Sequence, residues 1–247
     1  MKKEARQDEL CDKVGLEQKL FDACAETAAG IGHELNNPLA IIAGHAQNLL
    51  KSETSEEKRR RLSAILEQTA RAYEMIVDLR VFARPPQPVR NEVDVEKFCA
   101  DWARRESKRC EENGVRLEIL FELEENTSTL TTDEAMLSTI LNALTKNAVE
   151  ATGPGGVVKI FARNLKATFP EDGRFIEIGV EDDGPGLSAE ARELLFAPYF
   201  SDRQAGRGLG VGLAKARRLA DKLDVELRCE KSASFEKGVC WRLVLRG

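Results

Sequence analysis

The sequence predicts an α+β protein: an N-terminal antiparallel helical hairpin, a four-helix bundle in the dimer, followed by a two-layer α/β sandwich. Three observations carry this. Apolar residues recur at steps of three and four on both sides of a polar break near Thr54. The run Arg84-Pro85-Pro86-Gln87-Pro88 cannot continue a helix, because proline lacks the amide donor and biases its predecessor to extended backbone. Beyond it, short alternating strands mix with helical segments and glycine turns, the pattern of a mixed sheet covered by helices.

The elements follow in order. Residues 1–15 are a charged segment, and their opening MKKEARQDEL is too charged for a secretory signal. From Leu16 to Leu50 the residues Leu16, Leu20, Cys24, Ala28, Ile31, Leu35, Leu39, Ile42, Ala46 and Leu49 form one stripe along a long helix. Thr54 and Glu57 have the spacing of a capping box. A second stripe then begins with Leu62, Ile65, Leu66, Thr69, Tyr73 and Ile76, which makes residues 16–84 a hairpin. Two such helices cannot cover each other's apolar faces on all sides, so the hairpin is expected to pair with a second copy as a homodimer.

Residues 85–91 read as a proline-rich linker and 92–247 as a second domain. There the spacing predicts helices around Val95–Cys110, Asp133–Ala151, Ala189–Leu195 and Gly210–Leu223. Strands are predicted around Val115–Leu123, Val157–Ala162, Phe175–Glu181, Val225–Cys229 and Val239–Leu245, with Gly153-Pro154-Gly155-Gly156 forcing a turn.

Composition narrows the function classes. Lys plus Arg is 37 against 42 Asp plus Glu, a net of −5 with the signs interspersed, so a nucleic-acid partner is not expected. The longest apolar stretches fall short of a bilayer span, so no direct membrane insertion is expected of this chain. Six cysteines include no C-x-x-C pair and several sit on apolar faces, which suits a reducing cytoplasm.

Two groups of residues carry chemistry. Counted from Ile31 at about 100° per residue, Leu35, Ile42 and Leu49 stay within about 40° of the seam, whereas His33 falls roughly 200° away and is expected in water. His45 falls about 40° from the seam and is expected to be partly buried. An exposed imidazole is largely neutral near pH 7, leaving one ring nitrogen able to attack phosphorus. Glu34 beside it can accept the other ring N–H, and Asn37 on the same face can orient a water. Pro38 removes the amide that would bond the carbonyl of Glu34, and Ala40 and Gly44 keep the outward face flat.

The second group begins with Glu181-Asp182-Asp183-Gly184-Pro185-Gly186 at a strand end, a D-x-G-x-G pattern whose glycines let backbone approach a ligand. A buried Asp182 carboxylate there can accept the amino hydrogen of adenine. Gly206-Arg207-Gly208-Leu209-Gly210-Val211-Gly212 runs into a helix, where backbone amides and the helix dipole favour phosphate. On the helix of Leu144–Ala151, Asn147 and Glu150 lie one turn apart, and the Asn147 amide oxygen can take one place on Mg²⁺. Arg203 and Arg207 can contact phosphate.

GIGHELNNPLAII, with His33, Glu34, Asn37, Pro38 and Leu39, resembles the H-box of two-component histidine kinases. Asn147, the Asp182 turn, Leu195-Phe196-Ala197-Pro198-Tyr199-Phe200 and the glycine run resemble, in order, the N-box, G1 box, F-box and G2 box of the Bergerat-type ATPase domain. The resemblance covers most of residues 20–247 and implies the catalytic core of a sensor histidine kinase that phosphorylates His33 from ATP. It implies Asn147 as Mg²⁺ ligand, Asp182 as adenine anchor, and Gly184, Gly186, Gly206, Gly208 and Gly210 as backbone contacts, with Arg203 where a lid Lys is frequent. It also implies a response-regulator receiver domain as the next phosphate acceptor, and possible phosphatase activity. Ala143 departs from the pattern, standing where the family usually has Asn, His or Glu. A nucleotide-binding dimeric scaffold, or another Bergerat-fold ATPase or serine kinase, is the alternative expectation.

Overall fold

The computed structural model describes residue 30 and residues 34–124, 129–165, 175–198, 200 and 210–246. The chain divides into two compact units, Met1–Pro86 and Gln87–Gly247.

In the first unit, a helix over 34–52 (α1) is joined by three residues to α2, Glu56–Ala83. The part of the first stripe before residue 30, and Ile31, lie outside the described residues. The capping box expected at Thr54 and Glu57 does not form. The cap falls one residue later, at Ser55, without a side-chain bond. The Glu53 carboxylate takes the task instead, accepting from the amides of Thr54 and Ser55 at 2.9 and 2.8 Å. Arg59 of α2 reaches back to the carbonyls of Leu50 and Glu53 at 2.9 and 3.1 Å, satisfying the C-terminal end of α1 where the helix dipole favours a cation.

Ala46 and Thr69 are buried inside this unit, yet Leu35, Ile42 and Leu49 of the first stripe and Ile65 and Tyr73 of the second remain 44–59% exposed. The single chain thus leaves part of its apolar seam open to water. His45, expected partly buried, is exposed: among the described residues the seam on that side of α1 stays open.

In the second unit the order is β1 (Asn91–Asp94), α3 (Val95–Glu112), β2 (Arg116–Glu122), β3 (Thr129–Thr132), α4 (Glu134–Thr152), β4 (Val157–Leu165), β5 (Phe175–Asp182), α5 (Ala189–Glu193), α6 (Gly212–Leu223), β6 (Glu226–Lys231) and β7 (Val239–Arg246). Five strands form one mixed sheet in the order β2-β4-β5-β7-β6, in which only β2 and β4 run parallel. The four-residue strands β1 and β3 pair antiparallel as a separate ribbon that the residue pattern did not predict.

Strand alternation puts Val158, Ile160 and Ala162 of β4, Ile176, Ile178 and Val180 of β5, and Trp241, Leu243 and Leu245 of β7 on one face of the sheet, all fully or almost fully buried. Against them lies α4, whose Leu137, Ile140, Leu141, Leu144 and Ala148 have no exposed surface, with α6 packed alongside. Asp133 starts α4 and ties down the incoming chain. Its Oδ1 accepts from Met136 N at 2.9 Å and its Oδ2 from Val89 N at 2.8 Å.

Candidate functional site

On α1, Glu34 and Asn37 are both exposed, one turn apart, and so are Pro38 and Ala40. An added Cβ on Gly44 would meet nothing within 4 Å, so this face is flat as well as open. His33 itself lies outside the described residues.

The second constellation assembles at the C-terminal end of β5. The antiparallel register pairs Val158 with Asp182, which places the carboxylate on the helix-covered face at the mouth of the sheet. Asp182 is 1% exposed. A buried carboxylate is costly unless hydrogen-bonded, and here Oδ1 accepts from Gly184 N at 3.0 Å and from Val239 N at 3.3 Å. An ionised carboxylate only accepts, so a ligand edge that offers N–H is matched and one that offers a carbonyl is rejected.

The turn after Asp182 is pressed onto α4. A Cβ on Gly184 would come within 2.9 Å of Asp182 Oδ1 and 3.2 Å of the Ala151 carbonyl carbon, so glycine is what lets strand end and helix close together. Gly156, leaving the turn after α4, is equally confined by Thr152 and by Asp183 Oδ1 at 2.8 Å. Gly186 has φ +82°, a left-handed conformation that only glycine adopts freely. Asn147 stands one turn before Ala151 on the same face of α4, and both Asn147 and Glu150 are half-buried.

Phe196 packs edge-on against Trp241 with ring centroids 6.2 Å apart, and the Arg217 guanidinium of α6 lies 5.4 Å from its ring. The segment after α5 is thereby fixed to sheet and helix. Gly210, with φ +66°, turns the chain into α6, whose cap residue Val211 makes no side-chain bond to the first-turn amides. Arg203, Gly206, Arg207 and Gly208 lie outside the described residues. The structure thus brings Asp182 and Gly184 together at the end of β5, with Gly186 following in the same turn and Asn147 one helical turn from the Ala151 that this turn touches.

Residue reasoning missed Glu181. It lies on the opposite face of β5 from Asp182 and is 4% exposed. Burial alone would push its pKa up, but the Ser234 amide and hydroxyl, the Ser232 hydroxyl and the Ala233 amide together hold it below the usual carboxylate range. The serines of Ser232-Ala233-Ser234 were the available signal. The four described cysteines are free thiols, and burial pushes Cys99, Cys229 and Cys240 up to about 12 and Cys110 to about 11.

A buried acceptor at the strand end, beside a glycine turn that packs closely on α4, fits an adenine nucleotide. Among the described residues no cluster of three metal-ligating side chains exists. Among the same residues no helix is long and apolar enough to cross a membrane.

Comparison with known proteins gives two family matches. Residues 25–88 match the His Kinase A (phospho-acceptor) domain, and residues 132–246 match the histidine kinase-, DNA gyrase B- and HSP90-like ATPase. The chain is 29% identical over 226 residues to the C4-dicarboxylate transport sensor protein DctB of Pseudomonas aeruginosa, covering 90% of the chain and 36% of that protein. It resembles full-length ShkA solved with AMPPNP at a TM-score of 0.72 and 24% identity, covering 89% of this chain and 45% of that one. It also resembles the histidine kinase ThkA solved with the response regulator TrrA at 0.60 and 19%, covering 90% and 61%. The chain spans 36–48% of the length of the first curated relatives it matches.

Proposed function

Because this chain belongs to the histidine kinases of two-component signalling, a phospho-acceptor domain joined to an ATPase domain, we propose that it phosphorylates its own His33 from ATP. The observation that carries the reading is the buried Asp182 carboxylate, held by the Gly184 and Val239 amides where α4 meets the glycine turn.

The roles follow from the chemistry of each group. Asp182 accepts the exocyclic amino hydrogen of adenine. Gly184, Gly186 and Gly210 keep side chains out of the way of the nucleotide, and Gly206 and Gly208 do the same in the glycine-rich sequence that precedes α6. Arg203 contacts phosphate, and Asn147 offers its amide oxygen to Mg²⁺. Bound ATP supplies the transferable phosphoryl group, and Mg²⁺ offsets its charge. A ring nitrogen of His33 attacks the γ-phosphorus in line, so that an N–P bond forms as the bond to the bridging oxygen breaks. Glu34 accepts the N–H of the other ring nitrogen and stabilises the charge that develops. Asn37 positions a water for the hydrolytic reverse step.

The domain reading assigns 16–84 to dimerisation and phosphotransfer, 85–91 to a linker and 92–247 to nucleotide binding, with residues 1–15 a charged lead-in. The open seam of Leu35, Ile42, Leu49, Ile65 and Tyr73 supports a homodimer through the hairpin. The flat face of Glu34, Asn37, Ala40 and Gly44 supports docking of a receiver domain, whose aspartate takes the phosphoryl group next. Four free thiols support a reducing cytoplasm.

Incubation with γ-labelled ATP and Mg²⁺ tests the reading. Acid-labile label on the parent chain that disappears in His33→Gln is the expected result. Nucleotide binding with no label on the parent would instead point to a scaffold.

A further inference from the structure

We propose that Glu181 and the seven-residue connection between β6 and β7 form a clamp that positions the Asp182 carboxylate and so sharpens its choice of adenine over guanine. The inference rests on the reading of Asp182 as the group that meets the base.

Glu181 and Asp182 are neighbours on β5, so their side chains leave opposite faces of the sheet, and Glu181 does not share the pocket of Asp182. On its own face Glu181 is a hub. Its Oε1 accepts from Ser232 Oγ at 2.7 Å, Ala233 N at 2.6 Å and Ser234 N at 2.8 Å, and its Oε2 accepts from Ser234 Oγ at 2.7 Å. Hydrogen bonds to an ionised acceptor are about twice as strong as neutral ones, and here four converge on one almost fully buried group.

The far end of the same connection rests on Asp182. Ser232 N donates to Gly238 O at 3.2 Å, closing the loop on itself, and Ser232 Oγ accepts from Phe235 N at 2.8 Å. Gly238, with φ +114°, lies flush against the Asp182–Asp183 peptide. A Cβ there would collide with the Asp182 carbonyl oxygen and fall 3.3 Å from Asp183 Cα. The next residue, Val239, donates its amide to Asp182 Oδ1 at 3.3 Å.

One short loop is therefore fastened to two adjacent residues on opposite faces of the strand end. The Asp182 carboxylate is held between an amide from its own turn and the amide of Val239, the first residue of β7, where this loop ends. Releasing Glu181 slackens the loop, and with it the Val239 amide that fixes the carboxylate's orientation. Glu181 is a positioning residue, since it acts only through Asp182.

The test uses the full chain as Glu181→Gln, Ser234→Ala and Asp182→Asn. It measures the dissociation constants of ATP and GTP by displacement of a fluorescent nucleotide, and amide exchange at Ala233, Ser234 and Val239 in the nucleotide-free chain. Glu181→Gln is expected to speed exchange at these amides and to narrow the ATP-over-GTP preference about tenfold, the scale of one charge-assisted hydrogen bond. An unchanged preference alongside faster exchange or a lower melting temperature would make the clamp merely structural and overturn the proposal. Where Glu181→Gln does not fold, Ser234→Ala decides by the same criterion, because it leaves the carboxylate two backbone donors and one hydroxyl. An Asp182→Asn variant that keeps the preference would remove the underlying reading itself, whatever the Glu181 variant does.

Discussion

Replacing Gly184 by Ala puts one methyl group where strand end and helix meet. The new Cβ would stand 2.9 Å from Asp182 Oδ1 and 3.2 Å from both the carbonyl carbon and the Cβ of Ala151, so either α4 or the turn has to move. Overpacking of this kind costs about 1–3 kcal/mol. The displacement also stretches the 3.0 Å bond from Gly184 N to a charged oxygen, an interaction worth about 1.5–3 kcal/mol. The two effects share the same atoms and do not add fully, which leaves roughly 2–4 kcal/mol. For a domain of this size that corresponds to a fall of about 5–15 °C in melting temperature. The assay is thermal denaturation with and without ATP, beside titration of a fluorescent nucleotide. We expect a lower melting temperature and little or no stabilisation by ATP. A variant melting within about 1 °C of the parent with unchanged nucleotide affinity would refute the packing account.

Two further outcomes follow from other parts of the molecule. Ile42→Lys combined with Leu49→Lys places charges on a seam that is already 46% and 59% exposed in the single chain, so helix content by circular dichroism should hold while sedimentation at micromolar concentration shifts from dimer to monomer. A parent chain that sediments as a monomer would sink the seam argument. The second concerns acid. Because Glu181 is held below the usual carboxylate range, its stabilising contribution is present above the ordinary value and is lost as pH falls from there through its lower folded value. Glu106, raised chiefly by burial, has the opposite slope. Urea midpoints of Glu181→Gln should therefore depend less on pH over that acid window than those of the parent, and parallel pH profiles would contradict the assignment.

The larger elements were legible because their patterns are long. The stripe of α2 and the apolar alternation of β4, β5 and β7 each repeat enough to specify a face, and α4 begins where an Asp can cap it. The ribbon of β1 and β3 escaped because four residues per strand carry too little periodicity. The alternation in Val115–Leu123 predicts a strand correctly but not its burial. β2 is an edge, and Ile119 and Leu120 stay 50% and 39% exposed although they point to opposite faces. Asp182 and its glycines were visible as a motif, since a backbone approaching a ligand restricts residue type locally. The Glu181 clamp was not, because its partners lie more than fifty positions away and a glutamate beside an aspartate looks like any polar strand end. His45 was misjudged because a stripe on one helix does not say how much of it a single chain can cover.

The turn between α1 and α2 has a mechanical meaning. Three residues give almost no slack, and from the first turn of α2 Arg59 bonds the carbonyls of Leu50 in the last turn of α1 and of Glu53 in the bend, while the Glu53 carboxylate holds the amides of Thr54 and Ser55. A bend this short, tied from both sides, restrains the two helices against moving separately, so a thrust or twist along the first is expected to reach the second as motion of the pair.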